Sequence, residues 1–148
     1  MGSDKTFMRR AIALGKQALG TTGDNPAVGC VIVQKGKIIA EGITHPPGGP
    51  HAEMSAFLDA ERNSFSVVGA TLYTTVEPCT FFGRTPPCTT AIIQHQIHRV
   101  VIGIRDPHPK VQGAGIRLLK EANIAVTEHV CQSAVEAYLT DWLQGYPH

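Results

Sequence analysis

The chain has 148 residues, enough for one domain with one sizeable core and no room within these residues for a second catalytic domain. Hydrophobic residues make up 43% and charged residues 17%, the composition of a globular protein rather than a disordered or fibrous one. Thirteen basic residues against twelve acidic ones leave a net charge of +1, which excludes a strong field toward nucleic acid or anionic lipid and favours small, modestly charged ligands.

In chain order, Asp4 to Leu19 carries Phe7, Ala11, Leu14 and Ala18 on one stripe, with Ser3 or Asp4 as N-cap, and predicts an amphipathic helix. The turn residues from Gly20 to Pro26 lead to strands at Ala27 to Val33 and Lys37 to Ile43, a hairpin around Lys35-Gly36. Thr44 to Pro50 contains three prolines and two glycines and must be an irregular loop. Pro50 then suits the first turn of a helix that runs to about Glu61 and starts at or next to His51.

Ala70 to Val76 has the content of a buried strand, and the Pro-rich stretch Glu77 to Pro87 precedes a helix from Cys88 to His95. A strand at Arg99 to Ile104, a helix at Gly113 to Ala122, a strand at Ile124 to Glu128 and one final helix at Cys131 to Leu143 complete the order αββαβαβαβα. Helical crossovers in the later half require parallel strands. The expected fold class is therefore α/β, with a mixed five-stranded sheet and helices on both faces, over residues 1–148 as a single unit. Gly113-Ala114-Gly115 reads as a helix-entry turn, because it lacks dinucleotide-loop spacing.

No apolar run approaches the roughly 20 residues of a spanning helix, and the N-terminus has no signal-peptide core, so a cytoplasmic location is expected. In that reducing compartment, cysteines with ligand-like neighbours are read first as metal ligands or catalytic groups. His51, Cys79 and Cys88 stand at turn ends and helix beginnings, and the chain reads His51-Ala52-Glu53, then Pro78-Cys79, then Cys88. Two thiolates and an imidazole suit Zn²⁺, and three protein ligands leave a fourth tetrahedral position open to water. Glu53, two residues from His51, can face that position without occupying it, which suits a general base and acid. A water there would be set to attack an electrophilic ring carbon, with a carbonyl and ammonia as the products if that carbon carries an amino group.

His-x-Glu followed by Pro-Cys and a second Cys is the zinc nucleobase-deaminase pattern, but with eight residues here, Thr80 to Pro87, between the cysteines. That insert ends in Gly83-Arg84-Thr85-Pro86-Pro87-Cys88. With Asn25 to Val33, Gly48 to Glu53 and Asp106-Pro107, it resembles the zinc-dependent cytidine/deoxycytidylate deaminase superfamily, and within it the deaminase domain of bifunctional riboflavin-biosynthesis proteins. The resemblance covers nearly the whole chain.

It implies a three-layer α/β/α cytidine-deaminase-like fold, Zn²⁺ on His51, Cys79 and Cys88, Glu53 as proton shuttle, and a phosphoribosylated diaminopyrimidinone substrate. It also implies Asn25 on the substrate, Arg84 and Asp106 at the pocket's polar end, and a homo-oligomer. The chain departs from that family at Thr44, at Phe81 and Phe82, and at His108, positions expected to rim the pocket. Phenyl rings can stack on a heterocycle but cannot replace imidazole hydrogen bonds. A free base or nucleoside such as guanine, cytosine or cytidine is the alternative substrate. A polynucleotide deaminase is disfavoured by scattered Lys and Arg, and a silent zinc module by the presence of Glu53. Cys30 and Cys131 read as core residues, and Trp142 as core or a subunit interface.

Overall fold

The computed structural model describes residues 3–80, 87–108 and 112–145. The first helix, α1 (Asp4–Gln17), begins on Ser3, whose hydroxyl accepts the Thr6 N–H at 3.2 Å, and buries Phe7, Met8, Ala11 and Leu14. Strands β1 (Gly29–Gln34) and β2 (Lys37–Ile43) form the hairpin. Lys35 and Gly36 both take positive φ, as a two-residue hairpin loop with matching twist requires. Then follow α2 (Ala52–Arg62), β3 (Thr71–Val76), α3 (Cys88–Gln94), β4 (Arg99–Ile104), α4 (Ala114–Glu121) and β5 (Ala125–Thr127).

The final predicted helix is two: α5 (Gln132–Tyr138) and α6 (Thr140–Gln144), separated at Leu139. Leu139 sits at φ −99°, ψ 17°, and the Thr140 hydroxyl donates back to the Glu136 and Ala137 carbonyls, the side-chain competition that bends helices. Apolar periodicity passes through this break unchanged, so the sequence pattern did not reveal it.

The five strands lie in the order β2-β1-β3-β4-β5. β1 is antiparallel to β2 and β3, whereas β3, β4 and β5 run parallel, the mixed sheet expected from the two kinds of connection. Val31, Ile32, Leu72, Val100, Val101 and Ile102 are fully buried at its centre. Two glycines set the helix layers. A Cβ on Gly29 would overlap the Ala11 carbonyl of α1, and one on Gly42 would overlap the Ala52 carbonyl of α2. Because Gly42 pairs with Cys30, the neighbour of Gly29, these two contacts lie on opposite faces of the sheet. α1 and α5 touch on the first face, and α2, α3 and α4 follow one another on the second.

The N-terminus of α1 is tied to the far side of the sheet. The Asp4 carboxylate accepts from the Arg99 guanidinium at 3.0 Å and from the Tyr73 hydroxyl at 2.7 Å. Arg99 holds the Asp4 carboxyl below its ordinary range, against an opposing effect of burial. Asp4→Asn is expected to cost about 1 kcal/mol of stability at pH 7, since the bidentate pair is only partly shielded from water. A depressed folded-state pKa gives stability that is present above the unfolded value of about 3.9 and is lost as pH falls through the folded one. Urea unfolding of the two proteins should therefore differ at pH 7 and converge toward pH 3; an undiminished gap at pH 3 would rule out this assignment.

The parallel strands β3 and β4 end on the same side, and the loops that leave their carboxyl ends face the N-terminus of α2. Open α/β sheets place their ligand crevices at this location.

Candidate active site

Three segments converge at the carboxyl end of β3. His51 is the N-cap of α2 and Glu53 lies in its first turn. Cys79 follows β3 by three residues, and Cys88 is the first residue of α3, behind Pro87. The His51 Nδ1 is 3.4 Å from the Cys88 Sγ and 3.7 Å from the Cys79 Sγ, and the ligand atoms of all three residues lie within 4.8 Å of one another. Among the described residues this is the only such cluster of metal-ligating side chains.

Local hydrogen bonds fix the two cysteine segments together. The Cys88 backbone N–H donates to the Cys79 Sγ at 3.2 Å, while the N–H and hydroxyl of Thr89 both donate to the Cys79 carbonyl. Hydrogen bonding from Cys88 is the main reason that the Cys79 thiol is lowered to about 4, with His51 adding to it and burial opposing. As the donor in that pair, the Cys88 thiol is shifted up. The Cys79 hydrogen bond also raises His51. One thiolate, a second thiol and an imidazole sharing one small volume are a donor set that a divalent, thiophilic ion organises. The residues fit zinc.

Glu53 is 4% exposed, and its carboxyl is hydrogen-bonded to the Cys88 side chain. Burial pushes that carboxyl up to about 7, and the neighbouring Cys79 charge adds to the shift. Beneath it lies Cys30, fully buried on β1, its thiol raised by burial and by the Glu53 charge. Cys30 therefore belongs to the core.

His51, Glu53 and Cys79 line one cavity, and Asn25, Thr44 and Asp106 line it with them. Asn25 is held by Thr22, whose carbonyl accepts the Asn25 N–H at 3.1 Å and whose hydroxyl donates to the Asn25 carbonyl at 2.6 Å, and a chain of bonds fixes the residues that follow it. The Gly29 N–H donates to the Thr75 hydroxyl at 3.2 Å, Thr75 and the Tyr138 hydroxyl are 3.0 Å apart, and Tyr138 donates to the Ala27 carbonyl at 2.6 Å. The segment leading into β1 is thereby held against α5. Thr44 is 4% exposed, and its hydroxyl accepts the Val28 N–H at 3.0 Å, so much of its hydrogen-bonding capacity serves the backbone of that same segment.

Asp106 follows β4 and is half-buried, with its carboxyl raised chiefly by burial. His108 is not among the lining residues; its N–H donates to the Asp106 Oδ1 at 2.9 Å and closes a turn under that side chain. Phe81, Phe82 and Arg84 lie outside the described residues. Neighbouring His45 is exposed, with its Nε2 3.4 Å from the Ser55 hydroxyl.

Several lining residues escaped the sequence reading, Asp24 and Val76 among them, and two bear on the site's shape. Trp142 on α6 forms one wall, which an apolar stripe gave no reason to separate from the core. Glu77 lies at the end of β3 with 4% exposure. A charged residue closing an otherwise buried strand is a visible signal, but its partners come from loops distant in sequence.

The family model for the cytidine and deoxycytidylate deaminase zinc-binding region matches residues 1–104. A riboflavin biosynthesis protein RibD of Actinobacillus pleuropneumoniae is 47% identical over 135 residues, 91% of this chain and 35% of that protein. The chloroplastic riboflavin biosynthesis protein PYRD of Arabidopsis thaliana is 44% identical over 148 residues, 97% of this chain and 34% of that protein. Among solved structures, the Thermotoga maritima diaminohydroxyphosphoribosylaminopyrimidine deaminase/5-amino-6-(5-phosphoribosylamino)uracil reductase superposes with a TM-score of 0.89 at 44% identity, over 95% of this chain and 40% of that one. The chain thus spans about a third to two fifths of the length of these relatives.

Proposed function

Because this chain belongs to the cytidine and deoxycytidylate deaminase zinc-binding family, we propose that it hydrolyses a ring amino group of an aminopyrimidine to a carbonyl with release of ammonia. The proposed substrate is the diaminohydroxyphosphoribosylaminopyrimidine for which the Thermotoga maritima relative is named. One observation carries the reading: a buried carboxylate, Glu53, stands in one cavity with His51 and Cys79, beside Cys88, in a chain 44% identical to that relative.

His51 Nδ1, Cys79 Sγ and Cys88 Sγ would hold the ion. When bound, zinc supplies the Lewis acidity that makes a water nucleophilic near neutral pH. Glu53 accepts one proton of this water and delivers it to the ring nitrogen next to the reacting carbon, then takes the second proton from the same oxygen and gives it to the departing amine. Water and the ring amine go in, and the carbonyl and ammonia come out, so the proton count closes on a single carboxyl. Its elevated pKa suits a group that must both take and give protons near pH 7. Asn25 offers an amide donor and acceptor to the edge of the heterocycle, and Asp106 an acceptor at the rim.

A second reading, an unphosphorylated aminated base, is favoured by one feature. Asp24, Glu53, Glu77 and Asp106 line the cavity, and among the described residues no lysine or arginine does. Arg84, Phe81, Phe82 and His108 are the remaining candidates for substrate contact, Arg84 toward a phosphate.

The reading takes residues 1–148 as one deaminase unit that is cytoplasmic, acts on a small heterocycle rather than nucleic acid, and self-associates. Among the described residues no helix is long and apolar enough to cross a membrane. Exposed Leu58, Phe65 and Val68 offer apolar surface for association. The test is ammonia release by zinc-loaded protein from the phosphoribosylated diaminopyrimidinone, beside guanine and cytosine. Turnover of the phosphoribosylated compound is expected. Turnover of a free base alone would transfer the assignment to the second reading, and turnover of none would overturn both.

A further inference from the structure

We infer that Glu77 is a positioning residue for the deamination, acting through Asp106. The inference rests on the proposed function for its substrate, and on backbone geometry for everything else. Glu77 is buried at the end of β3, two residues before Cys79, and spends both carboxylate oxygens on backbone N–H groups of one distant segment. Its Oε1 accepts from Asp106 at 3.1 Å and from Gly113 at 3.0 Å. Its Oε2 accepts from Gly115 at 2.9 Å and from Ile116 at 3.4 Å.

These four bonds have three effects. They satisfy the first N–H groups of α4, whose N-cap, Gly113, has no side chain to do so, and they set a negative charge at the positive end of that helix. They clamp both ends of the connection between β4 and α4 to the strand that leads into the metal cluster. They also fix the backbone of Asp106 itself, whose side chain lines the cavity while its Oδ1 holds the His108 N–H. The packing leaves no slack here: a Cβ on Gly115 would overlap the Pro78 carbonyl, so α4 rests directly on the Glu77-Pro78 backbone. Arg105, paired with Glu128 at 2.6 Å and 3.1 Å, anchors the same loop from outside. Asp106 therefore stands where it does relative to Cys79 because one buried carboxylate spans the two segments.

A glutamine has the same shape but turns one acceptor into a donor, which would face N–H groups and release one end of the loop. The experiment compares zinc-loaded wild type, Glu77→Gln, Asp106→Asn and the double variant for ammonia release from the phosphoribosylated diaminopyrimidinone. Glu77→Gln is expected to keep stoichiometric zinc and to raise KM by about tenfold or more, with kcat within about threefold. In the double variant the loss should be no larger than in the worse single one, because the two residues act through one contact. Additive losses, or an unchanged KM in Glu77→Gln, would overturn the inference.

Should Glu77→Gln fail to fold, Glu77→Asp keeps the charge and draws it back by one methylene. It should raise KM with kcat retained and quicken amide exchange at Asp106 and Gly113; an unchanged KM there also counts against the inference. Wild type that releases no ammonia would instead defeat the proposed function, and amide exchange in Glu77→Asp would still decide whether Glu77 holds this loop.

Discussion

Glu53→Ala should lower turnover by about two to four orders of magnitude while leaving zinc bound, because on the proposed reading the substitution removes a proton shuttle and no ligand. The three candidate donor atoms belong to His51, Cys79 and Cys88 and cluster without any contribution from Glu53. Stability should not fall in proportion. Burial of the Glu53 carboxyl is unfavourable enough to push its pKa to about 7, so the charged form is a cost that the fold bears for the site. Glu53→Gln, which keeps the volume, should have an equally low rate and, with zinc removed from both proteins, a thermal midpoint at or above wild type. The measurements are ammonia release, zinc content and thermal unfolding of the same preparations. Residual activity within tenfold of wild type would remove Glu53 from the chemistry.

The second large effect is loss of the metal. Cys79→Ser or Cys88→Ser should weaken zinc binding by more than about 100-fold, beyond what loss of an outer hydrogen-bonding partner costs. A hydroxyl is a much harder donor than a thiolate and stays protonated near neutral pH. Each variant should also lose thermal stability in zinc-containing buffer and, unlike wild type, show little further change on chelation, since ligand binding to the folded state is what the chelator removes. Cys131→Ser is the control. Its thiol is half-buried at the start of α5 and remote from the cluster, so zinc content should stay stoichiometric. Near-stoichiometric zinc in Cys79→Ser or Cys88→Ser would mean that the donor set is wrong.

The two effects separate binding from chemistry because the residues enter the site by different routes. Cys79 and Cys88 arrive at the end of β3 and the start of α3, whereas His51 and Glu53 share the first turn of α2. Gly42, which admits no side chain beneath that turn, allows α2 to sit close enough to the sheet for its first turn to reach the cysteines. Site geometry thus depends on a glycine that never touches substrate.

Much of this was legible in the chain alone. The hairpin at Lys35-Gly36, the parallel later strands and the helix starts at His51 and Cys88 all follow from local signals: turn residues, β-branched runs and prolines at helix entries. The His-x-Glu and Pro-Cys spacing also carries its chemistry locally, since residue types and their distance along the chain fix which atoms a metal would find. What the sequence by itself determined was therefore the order of elements up to the last helix, which is two, the mixed sheet, and the three side chains that cluster as candidate donors.

The tertiary structure decided the rest, because each remaining feature depends on groups distant in sequence. Thr44 reads as a pocket residue, yet its hydroxyl is engaged by the Val28 N–H, a partner 16 residues away. Trp142 belongs to a regular apolar stripe, and only the break at Leu139 and the packing of α6 put it on the cavity wall. Glu77 stands in an ordinary strand end, and its four backbone partners, 29 to 39 residues further on, exist only once α4 has docked on Pro78. Hydrophobic periodicity and ligand spacing report what a residue does to its neighbours in the chain; hydrogen bonds that close a pocket report where the chain returns, and a buried polar group acquires its role only from the partners the fold brings to it.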